Sequence, residues 1–127
     1  CAKCVFAEET DTWAPIVEKA GKIIVNLGGC VELVSGKPAC GKAYQQFDTC
    51  VSFGCNECTS DADETQCFKD IVAKGAPCEQ AARDMTTACG DELLDYVEVC
   101  YPRGQLTIAG PITKQCIEGP NDAGTDG

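Results

Sequence analysis

Apolar residues recur at helical spacing through most of this chain. Trp13, Ile16, Val17, Ala20, Ile23, Ile24 and Leu27 fall at i, i+3, i+4, i+7, i+10, i+11 and i+14, which predicts an amphipathic helix over roughly 12–27. Thr10-Asp11-Thr12 offers its cap, Pro15 suits its first turn, and Gly28-Gly29 is the expected stop. The opposite face, with Glu18, Lys19, Lys22 and Asn26, reads as solvated. Cys30 to Val34 is too short to classify as strand or irregular return.

Ser35-Gly36-Lys37-Pro38 places a proline for a new start. The second helix is predicted over roughly 38–57, with Cys40, Ala43, Phe47, Cys50, Val51, Gly54, Cys55 and Cys58 on one face. A capping box, Ser60 to Asp63 or Asp61 to Glu64, opens a third helix over roughly 61–74, closed by Gly75-Ala76-Pro77. A fourth is predicted over roughly 78–100, where Ala81, Ala82, Met85, Cys89, Leu93, Val97 and Cys100 keep the period. Beyond Gly104 the period fades. Leu106 to Ile108 reads as a short extended piece, and Cys116 is expected to pin an irregular C-terminal segment to the bundle. The expected class is all-α: one disulfide-stapled helical domain over 1–117, followed by an acidic, Gly-rich tail or linker over 118–127.

Cysteine changes this picture most. There are 12 in 127 residues, a density that marks a disulfide scaffold and an oxidising compartment. The expected location is extracellular, secreted or cell-surface, or else periplasmic. The even count predicts that Cys1, Cys4, Cys30, Cys40, Cys50, Cys55, Cys58, Cys67, Cys78, Cys89, Cys100 and Cys116 all form bridges. An up-down-up-down arrangement makes helices two and four parallel. Its register predicts Cys50–Cys67 and Cys40–Cys78, with Cys89 and Cys100 tied to the Cys55/Cys58 end. Beginning at Cys1 rather than Met, the chain is expected to be a processed mature form. A lipid on Cys1 is the alternative to a cystine there, and parity favours the cystine.

Charge and side-chain inventory narrow the chemistry. A formal net charge of −10 with no basic cluster argues against nucleic-acid binding, and no apolar run has the length of a membrane span. The chain has no histidine, which removes Ser-His-Asp and Cys-His catalysis and mixed Cys/His zinc sites. Cys1/Cys4 and Cys55/Cys58 form two Cys-x-x-Cys units that together could supply four thiolates to a metal, but structural cystine is the favoured reading. Asp61, Asp63 and Glu64 resemble the start of a calcium loop. Gln66 and Val72 stand where that loop needs Gly and Glu, so helix capping explains the carboxylates better. Asp91, Glu92, Asp95 and Glu98 read as a solvated helix face, and Trp13, Tyr44, Tyr96 and Tyr101 as core or core-edge packing rather than a pocket lining.

No cofactor or catalytic residue is therefore expected. The reading is a secreted or cell-surface, non-catalytic binding or structural module, with a protein partner or self-association in an extracellular assembly. The alternative is a carrier of an apolar small molecule or lipid between the helices, and the third reading is a Cys-based metal-binding protein. A continuous apolar cavity of several hundred Å3, or lipid that co-purifies, would favour the carrier. A dry core with an exposed patch would favour the assembly module.

Overall fold

A computed structural model describes residues 5–7, 15–19, 21–102 and 108–117 of the chain. Its N-terminal part corrects the first expectation. In place of a helix over 12–27, the chain forms strands β1 (Phe6–Ala7), β2 (Ile16–Lys19) and β3 (Lys22–Val25). They lie in the order β1-β2-β3. β1 runs parallel to β2 with Phe6 opposite Ile16. β2 and β3 form an antiparallel pair with Ile16 opposite Val25 and Lys19 opposite Lys22. The helical spacing is real, but Ile16, Val17, Ile23, Ile24 and Val25 are all β-branched, a composition that favours strands. Gly21, at φ +73°, occupies the left-handed conformation that the tight connection requires. Trp13 and the proposed Thr10–Thr12 cap lie outside the described residues.

Gly28 and Gly29 do not stop a helix. They open one. Helix α1 (Leu27–Ser35) is capped by Asn26, whose Oδ1 accepts from the Gly29 amide at 2.8 Å. Gly28 and Gly41 are small where they must be. A Cβ on either would run into the other's carbonyl oxygen, so the glycine pair lets α1 press its backbone against the next helix. That helix, α2 (Pro38–Gly54), starts at its predicted proline. Ser60 caps α3 (Asp61–Ile71) by accepting from the Asp63 amide at 3.2 Å, one of the two capping pairs expected.

The predicted fourth helix is two helices, α4 (Glu79–Cys89) and α5 (Leu93–Cys100). The break is Gly90, at φ +74° and ψ −162°, far from helical values. The C-terminal segment is more regular than expected: α6 (Ala109–Ile112) continues as a π-helical turn over Thr113–Ile117. Leu106, Thr107 and the proposed tail at 118–127 lie outside the described residues.

The helices pack as α1 on α2, α2 on α4 and α1 on α5. The bridges follow that packing: Cys30–Cys100, Cys40–Cys89, Cys50–Cys78 and Cys55–Cys67. Neither predicted pair, Cys50–Cys67 or Cys40–Cys78, is formed. Cys89 and Cys100 go to Cys40 and Cys30 rather than to the Cys55/Cys58 end. The physical reason is direction. α3 serves as a connecting strap, so the chain folds back and α4 runs antiparallel to α2, pairing the start of one with the end of the other. Each bridge thereby encloses the next in sequence. Cys116 is also disulfide-bonded, whereas Cys58 carries a free thiol, against the expectation that every cysteine is bridged. Cys1 and Cys4 lie outside the described residues.

Cystine builds the core as well as crossing it. Cys30, Cys40, Cys78, Cys89 and Cys100 are at most 1 % exposed and pack with Leu27, Val31, Ala43, Met85 and Tyr101. The described helical body is thus the cystine-rich all-α fold expected, preceded by a small sheet. No helix among the described residues is long and apolar enough to cross a membrane.

A candidate binding cavity

Seen from its axis, α2 has two contrasting sides. Cys40, Ala43, Phe47 and Cys50 face the cystine core, while Asp48, Thr49 and Ser52 lie roughly opposite at helical spacing, with Asn56 just past the helix end. On a solitary helix that second side would face water. Here β3 and the start of α1 stand beside it and form a half-open cavity of about 400 Å3. Gln45 sets the separation: its Oε1 accepts from the Gly28 amide at 2.8 Å, and its Nε2 donates to the Val25 carbonyl at 3.4 Å.

The apolar part of the lining comes from Ile23, Ile24, Val25, Leu27, Phe53 and Ile108. Ile23 and Phe53 are 75 % and 48 % exposed, so the cavity mouth presents large apolar side chains to solvent. Water gains nothing from such a lining, and an apolar guest would cover it.

The polar part holds Asp48, Thr49, Ser52, Asn56 and Tyr101. Tyr101 is buried, and its hydroxyl has no hydrogen-bond partner among the described residues. A buried phenol of this kind costs stability in the empty protein, because its lost hydration is not replaced. Burial also pushes the phenol well above the ordinary tyrosine range, with the charges of Tyr44 and Asp48 adding to the effect. Burial, then Asp48, raise Tyr44 to about 12. Asp48 itself is held above the usual carboxylate range by desolvation. Asp48 and Tyr101 are thus partly dehydrated residues of an otherwise largely apolar lining.

Of the four aromatics read as packing groups, Tyr44 and Tyr96 are half-buried against the core, and Trp13 lies outside the described residues. Tyr101 does both jobs: its ring fills the core while its residue lines the cavity. The signal that could have exposed the site was the uncharged polar stripe Gln45-Thr49-Ser52-Asn56 in a chain so rich in charge, interrupted only by Asp48.

The other candidate clusters resolve into local structure. Asp63 accepts from the Thr59 hydroxyl at 3.4 Å beside the Ser60 cap, while Asp61 and Glu64 sit exposed in the first turn of α3, where the helix dipole favours carboxylates. Asp91, Glu92, Asp95 and Glu98 are exposed. Glu92 accepts from the Tyr96 hydroxyl at 2.6 Å and from Lys37 at 3.5 Å, and those two partners hold its carboxyl below the usual range. The two Cys-x-x-Cys units do not act as a pair of thiolate donors, because Cys55 is bonded to Cys67. The sulfurs of Cys55, Cys58 and Cys67 nevertheless lie within 4.8 Å of one another.

Comparisons with protein-family models, with curated proteins and with solved structures found no match for this chain.

Proposed function

We propose that this protein is a secreted or cell-surface, non-catalytic carrier that holds a small, largely apolar molecule in the cavity between β3 and α2. The cavity is the observation that carries this reading over an assembly module: its volume falls within the range of small-molecule sites, and its lining is mostly aliphatic and aromatic with a few convergent polar groups. An extracellular setting is supported by the four bridges among the described residues, which a reducing cytosol would open. A passive role is supported by the lack of histidine in the whole sequence.

Titration with N-phenyl-1-naphthylamine, a neutral apolar dye, tests the reading. Saturable fluorescence enhancement at one dye per chain is expected, and it should weaken strongly in Phe53→Asp, which places a charge at the mouth. A dye signal that never saturates, or that Phe53→Asp leaves unchanged, would overturn the carrier.

A further inference from the structure

Resting on that carrier reading, we propose the chemical class of the guest: an amphiphile whose head group is a cationic hydrogen-bond donor, with a primary alkylamine as the simplest representative. The lining chooses the sign. Among the described lining residues Asp48 is the one carboxylate, and neither lysine nor arginine is present. A fatty-acid carboxylate would therefore bring a second negative charge into a partly dehydrated space with no cation among the described lining residues to meet it. An ammonium head has three donors and no acceptor. It can give a hydrogen to the Asp48 carboxylate, which lines the cavity. A neutral alcohol leaves the Asp48 charge uncompensated. The alkyl chain then lies along Ile24, Leu27 and Phe53. The formal −10 of the whole chain works in the same direction by drawing cations toward the surface.

Competition against bound N-phenyl-1-naphthylamine at neutral pH, using octylamine, octanol and octanoate, decides the class. Chain length is constant, so the head group alone sets the order. Octylamine should displace the dye at a concentration at least about tenfold below octanol, the scale of one charge-assisted hydrogen bond, and octanoate should be weakest. Asp48→Asn should bring octylamine to the level of octanol, both measured against the dye affinity of that same variant. Asp84→Asn, on the exposed side of α4, removes the same unit of net charge and should leave the amine preference unchanged. If octanoate matches or beats octylamine, or if Asp84→Asn erases the preference as fully as Asp48→Asn, the head-group assignment is wrong although the cavity still binds. If the dye itself shows no saturable binding, it is the carrier reading that fails.

Discussion

The two ends of the cystine series use one bond for different purposes. At the open end, Cys30–Cys100 and Cys40–Cys89 lie sealed between helices and fill space that leucine or phenylalanine fills in an ordinary domain. At the tip, Cys55–Cys67 ties down α3, which has no buried side chain of its own. Phe68 meets Phe47 edge-on at 6.0 Å, Ile71 lies over Gly54, and the Cys78 amide donates to the Ile71 carbonyl at 3.0 Å. The first kind of bridge is core, and the second is a tether. Sequence spacing alone cannot tell them apart, since both arise from cysteines on one helical face.

The sharpest way to break this comparison is to remove one bridge of each kind. Cys40→Ala with Cys89→Ala opens the loop that segments 40–50 and 78–89 form around the Cys50–Cys78 bridge. By loop-closure entropy that should lower unfolding free energy by about 3 kcal/mol, with a further loss from the vacated sulfur volume that makes it the larger effect. Cys55→Ala with Cys67→Ala opens a loop of only 12 residues, for which about 3 kcal/mol is the ceiling expected. Urea titration should rank the two in that order. Hydrogen exchange should show the second variant loosening α3 while α1, α2 and α4 keep their protection. Equal, global loss in both would erase the distinction.

A smaller effect is expected where α1 meets α2. Gly28→Ala forces its new methyl group against the Gly41 carbonyl and Gln45, and should cost about 1–3 kcal/mol by overpacking. The same change at Gly41 should do likewise, and an unchanged melting temperature in both would contradict the close backbone contact.

Smaller again, and opposite in sign, is Tyr101→Phe. Removing a buried hydroxyl that has no partner among the described residues should raise stability by about 1 kcal/mol. The alkaline limb reports on the same groups. Tyr44 and Tyr101 hold their protons more tightly when folded. The unfolded chain therefore deprotonates first as pH rises past about 10, and stability should fall there. Tyr101→Phe should flatten that fall, and a fall of unchanged steepness would show that Tyr101 is not the group responsible. The smallest effect belongs to the tip. Without reductant, iodoacetamide should label Cys58 and leave the melting temperature where it was. Protection of Cys58 would contradict its free thiol.

Much of the helical body is legible in the sequence because its signals are local. Pro38 at the start of α2 and Ser60 capping Asp63 depend only on near neighbours, whereas α3 ends at Ile71, short of the expected Gly75 stop. The first segment misleads because two periods coincide: Ile16, Val17, Ile23 and Ile24 fit one helical face, and their branching at Cβ decides for strands. Gly28-Gly29 resembles a terminator because the reason for a glycine at 28 lies in the next helix, at Gly41. The bridge register fails for a similar, non-local reason. Spacing places Cys40, Cys50, Cys78 and Cys89 on helical faces, but which faces meet depends on the direction of α4, and a short strap cannot announce that. The cavity is the least visible feature, since it needs β3 to lie over the polar side of α2.

Nesting has a consequence for how such a molecule ages among proteases. Because Cys30 and Cys100 bracket everything between them, a single cut at any peptide bond inside that bracket leaves both fragments covalently attached. The exposed strap α3 can be nicked, and the remaining packing still holds its shape around an intact chamber. Persistence after cleavage is thus written into the order in which the sulfurs are joined.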